Sequence, residues 1–136
     1  MANLTERWDF SAIKQGASVI GTIAVPLAVI GRLAFDEGKS SSLASLLAMV
    51  TLAMFVIGAG VAAWQQTKGT PLSHGLVTAV GMFIVVQAIF AVIRVLGGHS
   101  LNFGRIMVSL TLTALAGLIG GFLGSFLQSR GIRASR

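Results

Sequence analysis

The sequence predicts an all-α, polytopic membrane protein whose four transmembrane helices form two tandem helical hairpins. Three observations lead there. The 136 residues are 54% hydrophobic and only 10% charged, and the mean hydropathy is +0.87, more apolar surface than a soluble domain of this length could hide. Four apolar runs, approximately 17–35, 43–64, 76–96 and 106–127, are each about 19 to 22 residues long, enough at about 1.5 Å per residue for a hydrocarbon core of about 30 Å. The seventeen glycines would weaken soluble helices, but they let membrane helices approach backbone to backbone. Isolated strands of this apolarity would leave peptide groups unsatisfied in lipid, whereas helices satisfy their own.

The first run reads as a span rather than a cleaved leader, because Glu6 and Asp9 interrupt any basic leader and no small-residue cleavage site follows. Pro26, near its middle, lacks an amide proton and predicts a kink. The second run closes on the small residues Gly58, Ala59, Ala62 and Ala63 before Trp64. A connector at 65–75 contains Gly69-Thr70-Pro71, and the third run carries Gln87 as its deepest polar uncharged residue. A connector at 97–105 leads to the fourth run, in which Gly117, Gly120, Gly121 and Gly124 make overlapping small-xxx-small patterns. Residues 128–136 form a basic tail with Arg130, Arg133 and Arg136. Because the connectors are short, consecutive helices are antiparallel neighbours in one transmembrane domain spanning 1–136.

Basic residues set the expected orientation. Arg7, Lys14, Lys68, Arg130, Arg133 and Arg136 fall on one side, against Arg32, Lys39, Arg94 and Arg105 on the other. The positive-inside rule then places both termini in the cytoplasm, in a cell inner (plasma) membrane protein. Trp8 and Trp64 lie on the terminal side at headgroup depth. The net charge of +6 is scattered along the chain and mostly flanks the spans, so it indicates no nucleic-acid partner.

An offset of 62 residues aligns the first hairpin with the second. Arg32 meets Arg94, Thr51 meets Thr113, Ile57-Gly58 meets Ile119-Gly120, and Gln66-Thr67-Lys68-Gly69 meets Gln128-Ser129-Arg130-Gly131. Two helices separate the copies, so the expected repeat is parallel, about an axis along the membrane normal, with the second and fourth helices at the centre.

Few residues point to chemistry. Arg32 and Arg94 sit about one turn inside helix ends, where a guanidinium either snorkels to the headgroups or holds an anion or a lipid headgroup. Hydroxyls within the spans, Thr51 and Thr113 among them, suit bonds to a preceding turn. Cysteine is absent, and with it thiol chemistry. His74 and His99 fall in loops on opposite sides and suggest neither a metal site nor a catalytic base. No Asp, Glu or His lies inside an expected span, and no phosphate loop or nucleophile elbow occurs. No catalytic, cofactor-binding or metal-binding residue is therefore expected, and the chain does not read as an enzyme.

The second helix ending Gly58-Ala59-Gly60-Val61-Ala62-Ala63, the turn from Lys68-Gly69 through Leu72-Ser73-His74-Gly75-Leu76, and the last helix with Gly117-Leu118-Ile119-Gly120-Gly121-Phe122-Leu123-Gly124 together resemble the uncharacterised family of small bacterial four-helix membrane proteins typified by YrzE. The Trp64-Gln65-Gln66 end departs from that pattern. The resemblance implies the four-helix architecture and a structural role for the Ser73-His74-Gly75 corner, with Ser73 as a helix cap. It carries no activity to transfer. The leading expectation is a non-enzymatic scaffold or accessory subunit, associating with itself or with other membrane subunits through Gly58, Ala62, Gly117, Gly120, Gly121 and Gly124. The alternative is a small oligomeric channel or carrier, anion-selective, with Arg32 and Arg94 at its outer mouth.

Overall fold

The computed structural model describes residues 4–34 and 42–132, with the side chains of 6–31 and 42–132. The Arg32 side chain and residues Lys39, Arg133 and Arg136 lie outside the described residues. A single helical turn, α1 (Leu4–Arg7), leads into the first span, which comprises α2 (Phe10–Val19), a π turn (Ile20–Ala24) and α3 (Val25–Ala34). Three further spans follow: α4 (Ser42–Gln65), α5 (Pro71–Leu96) and α6 (Phe103–Ser129).

Four of these helical stretches are long and apolar enough to cross a membrane: Phe10–Gly31, Ser42–Gln65, Pro71–Leu96 and Phe103–Ser129. In an 18-residue apolar window of each, no more than 28% is buried inside the bundle. Side chains such as Leu96 and Phe103 are 83% and 71% exposed. Surface this apolar is stable only where hydrocarbon, not water, surrounds it.

Helix ends explain where each span stops. Asp9 caps α2, its Oδ1 accepting from the Ala12 amide at 3.2 Å, and Asn102 caps α6 through the Arg105 amide at 3.1 Å. Pro71 occupies the first turn of α5, where its missing amide proton costs nothing. The α5 and α6 C-termini both close with a left-handed glycine. Gly98 at φ 75° and Gly131 at φ 73° let the His99 amide reach Arg94 O at 2.9 Å and the Ile132 amide reach Leu127 O at 3.2 Å. The irregularity anticipated at Pro26 takes the form of the π turn just before it, in which the Val25 amide bonds to Ile20 O.

The helices touch where glycine and alanine remove side-chain bulk. At Gly124 a Cβ would come within 2.6 Å of Gly60 O and 2.7 Å of the Ala63 Cβ, so α4 and α6 meet backbone to backbone at the bundle centre. Gly75 lies as close to α6, where a Cβ would stand 2.7 Å from the Gly121 Cα, and Gly16 of α2 packs on Gly58 and Ala62 of α4. In lipid, where burying apolar surface drives little, such close contact is the main source of helix affinity. All three crossings lie in the half of the bundle nearer the termini. Ala12, Ala59, Ala62, Ala63 and Ala79 are fully buried there. Beyond Phe83, in the half facing away from the termini, Phe90 is the only buried residue of α5, and α4 has none before Phe55. The bundle is closed at its terminal end and splayed at its far end.

Candidate functional site

Two polar features occupy the two ends. At the terminal end the first turn of α5 carries His74, which is fully buried. Its Nε2 accepts from the Asp9 amide at 2.9 Å. That bond places the ring proton on Nδ1, which lies 2.8 Å from Thr70 O and donates to it. Trp8 covers the imidazole, with ring centroids 5.2 Å apart. The Asp9 carboxylate reaches the connector between α4 and α5: its Oδ2 accepts from both the amide and the hydroxyl of Thr67 at 3.1 Å.

Beside this node, Gln66 and Gln128 join the ends of α4 and α6. Gln66 Nε2 donates to Gln128 Oε1 at 3.2 Å, while Gln128 Nε2 donates to Trp64 O at 2.8 Å and Gln66 O at 2.9 Å. Gln66 Oε1 accepts from the Lys68 amide at 2.7 Å. Trp64 Nε1 donates to Ile132 O at 2.7 Å, and the Arg130 guanidinium lies 4.6 Å from the centre of the Phe126 ring. The node ties α2, the connector between α4 and α5, α5 and the end of α6 into one hydrogen-bonded lattice.

The far end holds a cavity of about 580 Å³ to which all four spans contribute, a volume typical of small-molecule sites. Phe55 and Phe83 form its inner boundary, where the close-packed half begins. Arg94 and Arg105 stand at its mouth, and no carboxylate lines it among the described residues. Arg94 Nη2 donates to Ser100 O at 3.0 Å, which anchors the guanidinium at the α5 C-terminus. Inside, Thr51 and Thr113 spend their hydroxyls on Leu47 O and Ser109 O, at 2.8 Å each.

Several residues singled out in the sequence take positions their patterns did not reveal. His74 is helical, buried and bonded to Asp9, not isolated in a loop; His99 is at the opposite end. Ser73 lies inside α5, and the N-cap position belongs to Thr70. The spans also run longer than their apolar cores, α5 from Pro71 and α6 from Phe103, because polar residues continue a helix into the headgroup layer. Gly58 and Ala62 face α2. Gly117 and Gly121 face α5, and Gly120 and Gly124 face α4, so every one of the six positions is covered within this chain. Asp9 was the residue that sequence reasoning missed; the signal was an N-capping Asp just before an apolar helix.

Four apolar helices and a bundle held by glycine contacts define the class: an integral, multi-pass membrane protein. No protein-family model, no curated protein and no solved structure matches the chain.

Proposed function

We propose that the chain is a non-enzymatic membrane carrier or binding protein that admits an anionic solute into the far-end cavity. The observation that supports this is the cavity itself, set in the splayed half of the bundle with two guanidiniums at its mouth. Field lines from such a rim draw anions inward. The terminal half is too tightly packed for an open pore, so passage would need a second conformation. On the positive-inside reading the cavity faces the exterior, and the 62-residue register makes Arg32 the tandem counterpart of Arg94.

Association through the glycine-rich faces is the less favoured reading, because those faces are already occupied within the chain.

The test places a tryptophan at the cavity floor, Phe83→Trp, in protein reconstituted into lipid nanodiscs. Iodide should quench it several-fold more than caesium does, and Arg94→Gln with Arg105→Gln should abolish the difference. Equal quenching by both ions would overturn the proposal.

A further inference from the structure

Along α5 the cavity presents Arg94, then Ala91 and Phe90, then Gln87 about 10 Å deeper than Arg94 and Phe83 about 16 Å deeper, by the rise of an α-helix. Along α6 it presents Arg105 and Ile106, then Ser109 one turn in, then Leu112 and Thr113. The charges stand outermost, neutral polar groups lie deeper and apolar side chains make up most of the wall around them, an arrangement that suits the phosphate, ester and acyl chain of an anionic lipid. Neither the Gln87 amide nor the Ser109 hydroxyl has a side-chain hydrogen-bond partner among the described residues.

The cavity also opens sideways. Met49 of α4 and Leu112 of α6 border it, yet they are 71% and 48% exposed. Where these two helices diverge, its wall gives directly onto the lipid-facing surface. A largely apolar space of this size does not hold water well, and leaving it empty forfeits the dispersion contacts of its lining. A neighbouring acyl chain can fill it without leaving the bilayer.

Resting on the anion-binding reading above, we infer that the ligand is an anionic lipid that enters between α4 and α6. Its headgroup lies at Arg94 and Arg105, its ester region at Gln87 and Ser109, and one acyl chain reaches Phe83. Charge complementarity selects the anionic headgroup, and the lateral opening selects a molecule already in the leaflet over a solute from water.

The experiment uses the same Phe83→Trp protein in nanodiscs containing lipids brominated on the acyl chain. At equal mole fraction, brominated phosphatidylglycerol should quench the added tryptophan well beyond brominated phosphatidylcholine, corresponding to a local enrichment of about tenfold. Wild-type protein, whose Trp8 and Trp64 lie at the other end, supplies the baseline. Arg94→Gln with Arg105→Gln should make the two lipids equivalent. Leu52→Trp is a second reporter should the first substitution disturb folding, and it should give the same ranking. Equal quenching by both lipids in the unsubstituted-arginine background would overturn the inference. If iodide still quenched selectively in that case, the anion-binding reading would stand and only the lipid would be wrong; if neither quenched, both would fall.

Discussion

At position 74 a single imidazole does the work of two backbone partners. Its Nε2 satisfies the Asp9 amide and its Nδ1 proton goes to Thr70 O, so the two bonds together are made by the tautomer that carries its proton on Nδ1. Removing the ring leaves the buried Asp9 amide without an acceptor, at a cost of about 1–3 kcal/mol. His74→Ala should therefore lower the thermal unfolding midpoint in detergent, and an unchanged midpoint would show that the node carries no stability. Asp9→Asn should destabilise the fold by a similar amount, because its amide nitrogen would confront the Thr67 donors or give up the α2 cap. None of this could be inferred from spacing along the chain. Asp9 and His74 are 65 residues apart, and only the antiparallel course of the first and third spans relative to the second brings them to one end.

Among the helices, the glycines divide into those in contact and those in open space. Gly124 has α4 backbone against it, whereas a Cβ at Gly81 would meet nothing within 4 Å. Gly124→Leu should separate α4 from α6 and cost more than the 1–3 kcal/mol usual for overpacking, since backbone atoms cannot move aside as side chains can. Gly81→Ala should be neutral or slightly stabilising. Chemical unfolding of both variants in the same detergent would check the contrast, and equal effects would contradict the assigned crossings. The spacing of Gly117, Gly120, Gly121 and Gly124 was plain in the sequence as a packing motif. Its division between two partners, α5 for one pair and α4 for the other, was not, because a small-xxx-small pattern marks a close approach and says nothing of which helix approaches.

For the molecule as a whole, one half is closed by glycine contacts and a hydrogen-bonded lattice, and the other is splayed around a cavity. The chain contains no cysteine, so single substitutions can report its sidedness. Ser129→Cys at the terminal end and Ser100→Cys at the far end should react with an impermeant thiol reagent from opposite faces of intact cells, with Ser100→Cys labelled from outside. Labelling of both from the same face would be incompatible with four spans, and the reverse pattern would invert the orientation read from the basic residues.

The apolar runs determined the helical class, the number of spans and the approximate length of each without any structure, because span length is imposed by the thickness of the hydrocarbon and helicity by the need to satisfy backbone groups there. The amount of glycine likewise announced close packing. Tertiary structure alone decided which helix each glycine meets, that His74 is a buried link instead of a loop residue, and that Arg94 and Arg105 share the mouth of one cavity with Gln87 and Ser109 below them. Bilayer thickness acts on each segment separately and so can be read from local composition. Contacts and cavities depend on the rotation and splay of helices about one another, and those follow from the whole set of side chains packed together.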